Sequence, residues 1–484
     1  MFFYYICLSL IFFFILWVIS SLTDELYIKL VSLCFSVFIF IISVFNFLLL
    51  DFLKFEVVTS TFEISTKLSL FFTIGVDMIS AVFILLTAFI FVIVVLIAWN
   101  SIKFKIKMFF CLLFLLEYFI LNVFGSFELI FFYFWFESSL IPMFLIILIW
   151  GNLTRKTVAA FYLIMYTLIF STPFFIAIVF IHYKFGSSNV IFLTYSAVLS
   201  VSYQKVMFIV FFMAFAVKLP VFPIHIWLPE AHVESPTTGS VILASLLLKL
   251  GYYGCLRFCL QCFPEAILFY KPVIAIIGIA GCIYGALLSL SQNDMKKVIA
   301  YSSVSHMSVC LLGLFSGNFF GILGSFLMAI GHSFVSSSLF FLVGSLYDRY
   351  HTRSLDYFSG LGNYIPIFSF FFFIAVISNF GFPISLNFVS EFFIFVGVGF
   401  WNFSVLLFLL FYSVLSVAYN LLLFIKIFHG TLKNYIVKFV VVDLQKRELY
   451  ILFPLMFCNV FLCFFISNFI KFVTPVILLM SFNA

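Results

Sequence analysis

Charged residues are scarce in this chain of 484 residues, because Asp, Glu, Lys and Arg make up only 9% of it. Soluble domains carry about 25%. The net charge of +6 is too small for a nucleic-acid-binding protein of this length, and 66% apolar residues are too many for a disordered chain. Soluble, disordered and nucleic-acid-binding proteins are therefore excluded, and a protein that crosses the membrane many times remains.

The start of the chain also lacks charge, since the first charged residue is Asp24. Residues 1–20 therefore have neither the basic start of a secretory signal nor the Arg-rich pattern of a transit peptide. We expect such a hydrophobic chain to be made beside its own membrane, encoded in an organelle, with a bacterial plasma membrane as the alternative. The ten cysteines nearly all fall in apolar runs, where Cys acts as a small hydrophobic residue, and we assign them no redox role.

Long apolar runs dominate what is present. A hydrocarbon core of ~30 Å needs about 20 apolar residues per helix, and the sequence divides into about fourteen such runs, which predicts an all-α polytopic membrane protein. They lie near residues 2–20, 26–50, 76–98, 106–125, 127–149, 158–183, 205–227, 238–258, 272–290, 296–315, 319–346, 364–400, 403–428 and 449–470. The stretch 51–77 mixes Thr, Ser, Val and charge, and is predicted to be an extramembrane hairpin.

The basic residues predict the orientation. Fourteen spans leave both termini on one side, and the loops of the opposite side then hold fifteen of the 24 Lys and Arg residues, against seven on the terminal side. Because basic loops stay on the inner side of a membrane, both termini are predicted to face outwards, towards the intermembrane space. The two remaining cations, Lys218 and Lys249, lie inside spans.

Ionisable residues recur near the middle of six different spans. A charge at the centre of a bilayer costs roughly 2.5 to 3.5 kcal/mol, so these side chains are expected to face the bundle interior or internal water. Their similar depth on neighbouring helices predicts a proton path parallel to the membrane plane. The residues are Glu137, Lys218, Lys249, His306, His332 and Glu391.

Proline interrupts two of these spans. The segment LPVFP at 219–223 follows Lys218, and GFP at 381–383 precedes Glu391 by eight residues. Broken helices in corresponding positions are typical of transporters built from two repeats. We therefore predict two inverted five-helix repeats, spans 4–8 and 9–13. The predicted divisions are 1–105 for helices 1–3 with the hairpin, 106–258 for repeat 1, 272–428 for repeat 2 and 429–484 for the C-terminal loop and helix 14.

Four segments resemble a known family. They are SFELIFFYFWFESSLIPMFLIILIWG, KLPVFPIHIWLPEAHVESPTTGSVILASLLLKLGYYG, SLSQNDMKKVIAYSSVSHMSVCLLG and GHSFVSSSLFFLVGSLYDRYHTR. Their order and spacing, from about residue 110 to 400, are similar to those of the subunit 4 family of NADH dehydrogenase, the antiporter-like subunits of respiratory complex I. The resemblance implies a proton-translocating subunit of the membrane arm, part of an NADH:ubiquinone reductase, that lies between paralogous antiporter-like subunits and lipids in the mitochondrial inner membrane. It implies no NADH, quinone, iron-sulfur or metal site on this chain.

The same resemblance implies a role for each residue of the path. Glu137 is the carboxylate of the fifth helix and the ion-pair partner of Lys218 on the broken seventh helix. Lys249 is the central lysine of the eighth helix, His332 the histidine of the eleventh, and Glu391 the terminal acid of the broken twelfth. Paralogous subunits are expected to have a lysine in place of Glu391. Ser291, where an arginine is expected, and Glu230, where a basic residue or Asp is common, depart from the family pattern.

Other interpretations of these residues stay open. His306 and His332 are also consistent with neutral core histidines bonded to serine, and Glu137 with an interfacial glutamate. Lys218 and Lys249 are also compatible with braces between helices. Four residues are secondary candidates for the path. Two of them are glutamates near span ends, and these are more consistent with solvated or locally paired side chains than with proton carriers. This secondary set is His306, Glu128, Glu117 and His225.

Two other functions compete with a subunit of complex I. The first is the related subunit of a multisubunit sodium/proton antiporter or a membrane hydrogenase, which has similar lysines and a different driving reaction. The second is a scaffold subunit that anchors its neighbours without conducting protons. It does not explain so many ionisable groups in one plane.

Overall fold

The computed structural model describes residues 24–49, 58–65, 70–151, 154–196, 200–437 and 442–482. Nearly all of these residues are helical, with one small hairpin. From the N-terminus to the middle of the chain the elements are α1 Glu25–Leu49, β1 Val58–Ser65, β2 Leu70–Val76, α2 Met78–Ser101, α3 Ile106–Gly125, α4 Leu129–Ser138, α5 Leu140–Trp150, α6 Lys156–Phe185, α7 Val190–Ser196, α8 Val201–Lys218, a 3₁₀ turn Ile224–Ile226, α9 Trp227–Glu234, α10 Thr237–Ile242, a π-helix Leu243–Leu247, α11 Leu248–Gly254, a second π-helix Cys255–Cys259 and α12 Leu260–Cys262.

The second half continues without a strand among the described residues. Its elements are α13 Pro264–Ser291, α14 Met295–Leu314, α15 Phe319–Tyr350, 3₁₀ turns Leu355–Tyr357 and Leu361–Asn363, α16 Pro366–Asn379, α17 Leu386–Trp401, α18 Phe403–Phe428, α19 Asn434–Val437, α20 Lys446–Phe464 and α21 Ile466–Phe482. A helix satisfies its own backbone hydrogen bonds, which a lipid environment demands.

Most of the predicted spans coincide with apolar helices. Within the described residues, twelve helices are long and apolar enough to cross a bilayer, and α16, α17 and the segment Ile466–Leu478 of α21 are shorter apolar helices. The remaining predicted span, 2–20, lies outside the described residues. The polytopic all-α fold is thus confirmed.

The distribution of side chains is the reverse of that in a soluble protein. Large apolar residues are exposed on the outer helices, for example Ile176 at 70% and Phe400 at 73%, while many serines, histidines and lysines are buried inside the bundle. Helices α14, α15 and α17 pack against one another at its centre. In a bilayer the exposed apolar faces contact lipid, so polar groups are kept to the interior.

Both predicted interruptions are present. Helix α8 ends at Lys218, and α9 begins only at Trp227 after LPVFP and a 3₁₀ turn. The indole N–H of Trp227 donates to the carbonyl oxygen of Val217 at 2.9 Å and so satisfies a backbone group at the break. The second interruption separates α16 from α17 at residues 380–385. A third, unpredicted kink at Ser139 divides the fifth span into α4 and α5.

The hairpin lies within 51–77, where β1 and β2 pair in antiparallel fashion from Val58 to Val76. Asp77 follows directly and caps α2, with Ser80 completing a capping box. Its carboxylate also accepts a hydrogen bond of 2.5 Å from Arg257. Burial alone would raise the pKa of Asp77, but the Arg257 charge and the hydrogen bonds from Arg257 and Ser80 hold it below its usual value. The extramembrane position of the hairpin and the four domain divisions stay predictions.

Three of the cations that were counted with the loops in the orientation argument are buried instead. Lys296 has no exposed surface, and Arg257 and Arg353 are 4% and 7% exposed. Each has a buried polar partner: the Lys296 ammonium donates to the carbonyl oxygen of Ser235 at 2.9 Å. The position of a cation in the sequence does not show whether neighbouring segments cover it, and this explains why these cations were counted with the loops.

Candidate functional site

Glu137 and Lys218 lie at two helix interruptions that face each other. The Lys218 ammonium donates to the carbonyl oxygen of Phe136 at 2.6 Å and lies 3.5 Å from Oγ of Ser139, both at the α4–α5 kink. It also lies 3.3 Å from the centroid of the Phe136 ring, a cation–π contact. The kink therefore provides a carbonyl, a hydroxyl and an aromatic face for a lysine that is 2% exposed.

The expected ion pair between Glu137 and Lys218 is not closed in this structure. No described residue donates a hydrogen bond of normal geometry to either carboxylate oxygen of Glu137, although the carboxylate interacts electrostatically with Lys218 and with the nearby Ser171 hydroxyl. Glu137 follows Phe136 directly, and the side chains of successive helical residues project in different directions. The Glu137 carboxylate is therefore not directed at the ammonium that the Phe136 carbonyl and ring hold. The direct pairing expected from the resemblance is therefore corrected to a looser, through-space pairing.

Lys249 lies on a helix that is interrupted by π-turns on both sides. Its ammonium donates to the carbonyl oxygen of Ala244 at 2.7 Å, within the preceding π-helix. It is also 2.9 Å from Nδ1 of His332 on α15. Lys249 has no exposed surface. Single π-turns often mark functional sites, and here one of them supplies the carbonyl that holds the lysine.

Two histidines continue the path from Lys249 to Glu391. The rings of His332 and His306 lie 5.8 Å apart between centroids. Nδ1 of His306 is 3.8 Å from Oε1 of Glu391. The side chains of Lys249, His332, His306 and Glu391 thus form a series across α11, α15, α14 and α17. His306, only a secondary candidate from the sequence, bridges the two parts of this series.

Two tyrosines of α18 surround His306. The Tyr412 hydroxyl is 3.1 Å from Nδ1 of His306, and the Tyr419 hydroxyl is 3.4 Å from Nε2. Both phenols are buried. A neutral imidazole has one donor and one acceptor nitrogen, and hydroxyl groups can satisfy either, so the ring is supported in both tautomers. Neither tyrosine was a candidate from the sequence, because an aromatic residue in an aromatic-rich span carries no distinctive signal.

The titratable side chains fall into two groups. Lys218 and Lys249 share no hydrogen-bond partner in the described part of the chain. Their helices nevertheless touch, because a Cβ added at Gly251 would lie 2.7 Å from the backbone nitrogen of Leu219. The first group is Glu137 with Lys218, and the second is the series from Lys249 to Glu391.

Glu391 lies beside the second helix interruption and lines a cavity of about 410 Å³. Gly381, Phe382, Phe392 and Val414 line the same cavity, and the last three are 44%, 56% and 66% exposed. Glu391 itself is 6% exposed, and its Oε1 lacks a hydrogen-bond partner among the described residues. The cavity therefore brings the end of the series to the edge of the bundle.

We expect Gly381→Ala to reduce proton translocation severalfold by displacing Glu391. A Cβ at this glycine would lie 2.5 Å from Oε2 of Glu391. Gly186→Ala is a matched control, because both glycines have a similar positive φ, +70° and +71°, while nothing lies within 4 Å of a Cβ at Gly186. The two variants should lose similar stability, about 1 kcal/mol. Equal proton translocation in both, measured by vesicle acidification, would exclude a role for the Glu391 position.

The remaining secondary candidates lie apart from the series. Glu117 was expected to be solvated or paired locally, but it has no exposed surface and its two oxygens have no hydrogen-bond partner among the described residues. Glu128 does pair locally, since its Oε1 accepts from the Ser188 hydroxyl at 2.9 Å; burial raises its pKa. His225 stacks on Phe222, 5.8 Å between centroids.

One buried histidine near the series was not a proton-transfer candidate from the sequence. His232 has no exposed surface, stacks on Phe340 at 4.5 Å, and interacts electrostatically with both Lys296 and Lys249. Its two ring nitrogens have no hydrogen-bond partner in the part of the chain that the structure describes. The only available signal was its position in a polar segment at a span end. Within the described residues, no three His, Cys, Asp or Glu side chains cluster closely enough to hold a metal ion.

Known sequences resemble this chain over most of its length. A family model for the membrane region of NADH:quinone oxidoreductases and Mrp antiporters matches residues 126–417. NADH-ubiquinone oxidoreductase chain 4 of Chondrus crispus is 42% identical over 418 residues, which cover 85% of this chain and 84% of that protein. The chain 4 protein of Arabidopsis thaliana is 40% identical over 434 residues, covering 88% and 86%.

Solved structures share the fold at lower identity. A chain of respiratory complex I from Thermus thermophilus with bound NADH superposes with a TM-score of 0.90 at 24% identity, and the match covers 100% of this chain and 99% of that one. A chain of the Mrp complex from Dietzia sp. DQ12-45-1b gives 0.89 at 17% identity, covering 99% and 96%. These matches show a shared fold. The family model and the relatives of about 40% identity show that the chain belongs to the NADH-ubiquinone oxidoreductase chain 4 family of antiporter-like membrane proteins.

Proposed function

We propose that this chain translocates protons as a membrane-arm subunit of an NADH-ubiquinone oxidoreductase. Membership of the chain 4 family supports the assignment to that enzyme. The relatives named above are eukaryotic, which supports the mitochondrial inner membrane as its location. The enzyme activity belongs to the assembled complex, and this chain contributes the proton path.

The contact series from Lys249 to Glu391 is the observation that carries the proposal. Its four titratable side chains come from four helices, and the measured contacts between Lys249 and His332 and between His306 and Glu391 are 2.9 Å and 3.8 Å. A lysine, two histidines and a glutamate can each accept and release a proton. Contacts that pass from helix to helix support a path in the membrane plane.

Lys218 and Glu137 act as a switch at the start of the path. A nearby carboxylate stabilises a charged lysine, whereas burial disfavours the charge. When the two side chains move further apart than in this structure, Lys218 releases its proton through internal water to Lys249, and the proton then passes to His332, His306 and Glu391. The two helix interruptions supply free backbone carbonyls for that water. Proton release from Glu391 is directed to the outer face.

The driving signal comes from neighbouring subunits, because we assign no cofactor to this chain. Paralogous antiporter-like subunits adjoin the two ends of the path, where Phe134 is 54% exposed beside Glu137 and Phe392 is 56% exposed beside Glu391. Lipids cover the remaining apolar surface. Both termini face the intermembrane space, in agreement with the excess of basic residues on the opposite side.

We expect Lys249→Met to lower proton translocation by roughly 10²-fold, the contribution typical of a positioned proton-transfer group. Methionine is similar in length but cannot carry a proton, and removing a buried charge leaves assembly intact. The measurement is acidification of vesicles that contain the reconstituted complex, with NADH oxidation followed in parallel.

Lys426→Met is the matched control, since Lys426 is an exposed cation in the last turn of α18. Normal acidification by the Lys249 variant would favour the scaffold alternative. Blue-native electrophoresis with NADH activity staining tests the antiporter alternative, in which this chain would be missing from the NADH-oxidising band.

A further inference from the structure

A second cavity, of about 810 Å³, lies at the ends of the helices on the side of the bundle opposite the hairpin. Its walls come from α1, the end of α2, the end of α5, the start of α10, the end of α15 and the start of α20. This volume is in the range of ligand-binding pockets. The cavity faces the side on which the basic loops are concentrated, the side where anionic lipid headgroups attract cations.

Cations outnumber carboxylates in this cavity. Its walls contain four cations and two carboxylates, and the cations are Lys29, Lys103, Arg349 and Arg447. Of the two carboxylates, Glu448 is already paired, because its Oε2 accepts from Arg349 at 2.5 Å and from the backbone N–H of Gln445 at 2.9 Å. Asp348 is the other, and it interacts electrostatically with Lys296, and also with Lys103 and Arg447. The cavity therefore retains positive charge.

Arg447 shows where an anion would bind. Its Nε and Nη1 atoms are buried and have no hydrogen-bond acceptor among the residues that the structure describes. The two atoms lie on different edges of the planar guanidinium, so their N–H groups would each donate to a separate acceptor, and the oxygens of a phosphate can serve as such acceptors. Buried N–H groups without an acceptor are unfavourable, so an anionic oxygen at this position would stabilise the site.

The rim of the cavity favours a lipid over a soluble anion. Phe104 lines the cavity and is 59% exposed. On α1, Leu26 and Leu30 flank the lining residue Lys29 and are 64% and 44% exposed. A headgroup in the cavity would leave its acyl chains against these apolar side chains at the level of the bilayer. A soluble phosphate would gain nothing from them.

We propose that this cavity, lined by Lys29, Lys103, Arg349 and Arg447, binds the phosphate of one anionic phospholipid, with the Arg447 guanidinium as its main ligand. The site is separate from the proton path and its occupancy does not depend on the proposed function. The lipid would add contacts between the ends of α1, α2, α15 and α20, helices that already pack against one another.

The test compares lipid retention by purified complexes. Complexes with Arg447→Gln, Lys103→Gln or no change are washed in detergent, incubated with vesicles of phosphatidylcholine containing phosphatidylglycerol, and washed again. Bound phosphatidylglycerol is then counted by mass spectrometry. We expect each variant to retain one molecule fewer under limiting lipid, with an affinity about fivefold lower per lost cation. Arg447→Lys should retain part of the binding.

Lys426→Gln serves as the matched control, because this exposed cation on the same side does not line the cavity. Equal retention by the wild type and both cavity variants would overturn the proposal. Competition by inorganic phosphate that is as effective as competition by phosphatidylglycerol would also overturn it, because it would identify a site for free anions. Should Arg447→Gln fail to assemble, Lys103→Gln and the phosphate competition in the wild type still decide the question.

Discussion

Lys218→Met should abolish proton translocation while the complex still assembles. Lys218 is 2% exposed, and its ammonium is held by the carbonyl oxygen and ring of Phe136. Methionine preserves most of the volume and removes a charge that costs roughly 2.5 to 3.5 kcal/mol in the middle of a membrane, so folding should not suffer. We expect the ratio of protons moved to NADH oxidised to fall by roughly 10²-fold.

Lys205→Met is the control on the same helix. Lys205 lies about 20 Å from Lys218 along α8 at the helical rise, and its ammonium packs on the Phe269 ring at 3.6 Å. This variant should pump normally. Glu137→Gln should resemble Lys218→Met, because it removes the charge that sets the state of Lys218. Normal acidification by either Lys218→Met or Glu137→Gln would contradict the assignment of the switch.

His306→Gln should reduce proton translocation nearly as strongly as the loss of a lysine. The His306 ring lies between His332, at 5.8 Å between centroids, and Glu391, at 3.8 Å from Nδ1. Glutamine can still bond to the hydroxyls of Tyr412 and Tyr419, but it cannot take up and release a proton. We expect a loss of roughly 10²-fold in vesicle acidification, with the complex assembled.

This substitution separates a proton carrier from a core histidine. A histidine that only fills space and bonds to the tyrosines would be replaced by glutamine with little effect on acidification. His225→Gln is the matched control, because His225 is also a buried histidine among aromatic rings, 5.6 Å from the Tyr284 ring, and lies outside the series. Similar acidification by the two variants would remove His306 from the proton path.

Composition and hydrophobic run length predicted the class of fold correctly. Apolar runs of about 20 residues specify helices in a bilayer, because no other open structure satisfies its backbone hydrogen bonds there. The interruptions were also predictable, since proline removes a backbone donor wherever it falls in a span. The break at Ser139 was not predicted, although Pro142 cannot donate a hydrogen bond to the Ser138 carbonyl and so marks it. The two π-turns beside Lys249 were not predictable, because no proline marks them.

Single residues of the site differed in how far the sequence could identify them. Lys218, Lys249 and Glu391 stand out in apolar runs because a buried charge in a membrane needs a reason. His306 and Glu117 were judged less well, since their surroundings depend on helices that are distant in the sequence. Tyr412 and Tyr419 gave no signal in a chain with 22% aromatic residues.

The amino-acid sequence by itself determined that this is a many-pass helical membrane protein with ionisable residues inside its spans. Both the length of each apolar run and the position of a costly charge within it can be read directly from the sequence. Only the tertiary structure decided which of those residues meet. Helix packing brought His306 between His332 and Glu391, left Glu137 apart from the Lys218 ammonium and turned Lys296 into the interior. Such contacts depend on helix rotation and kinks of a few ångströms, which local sequence patterns do not specify.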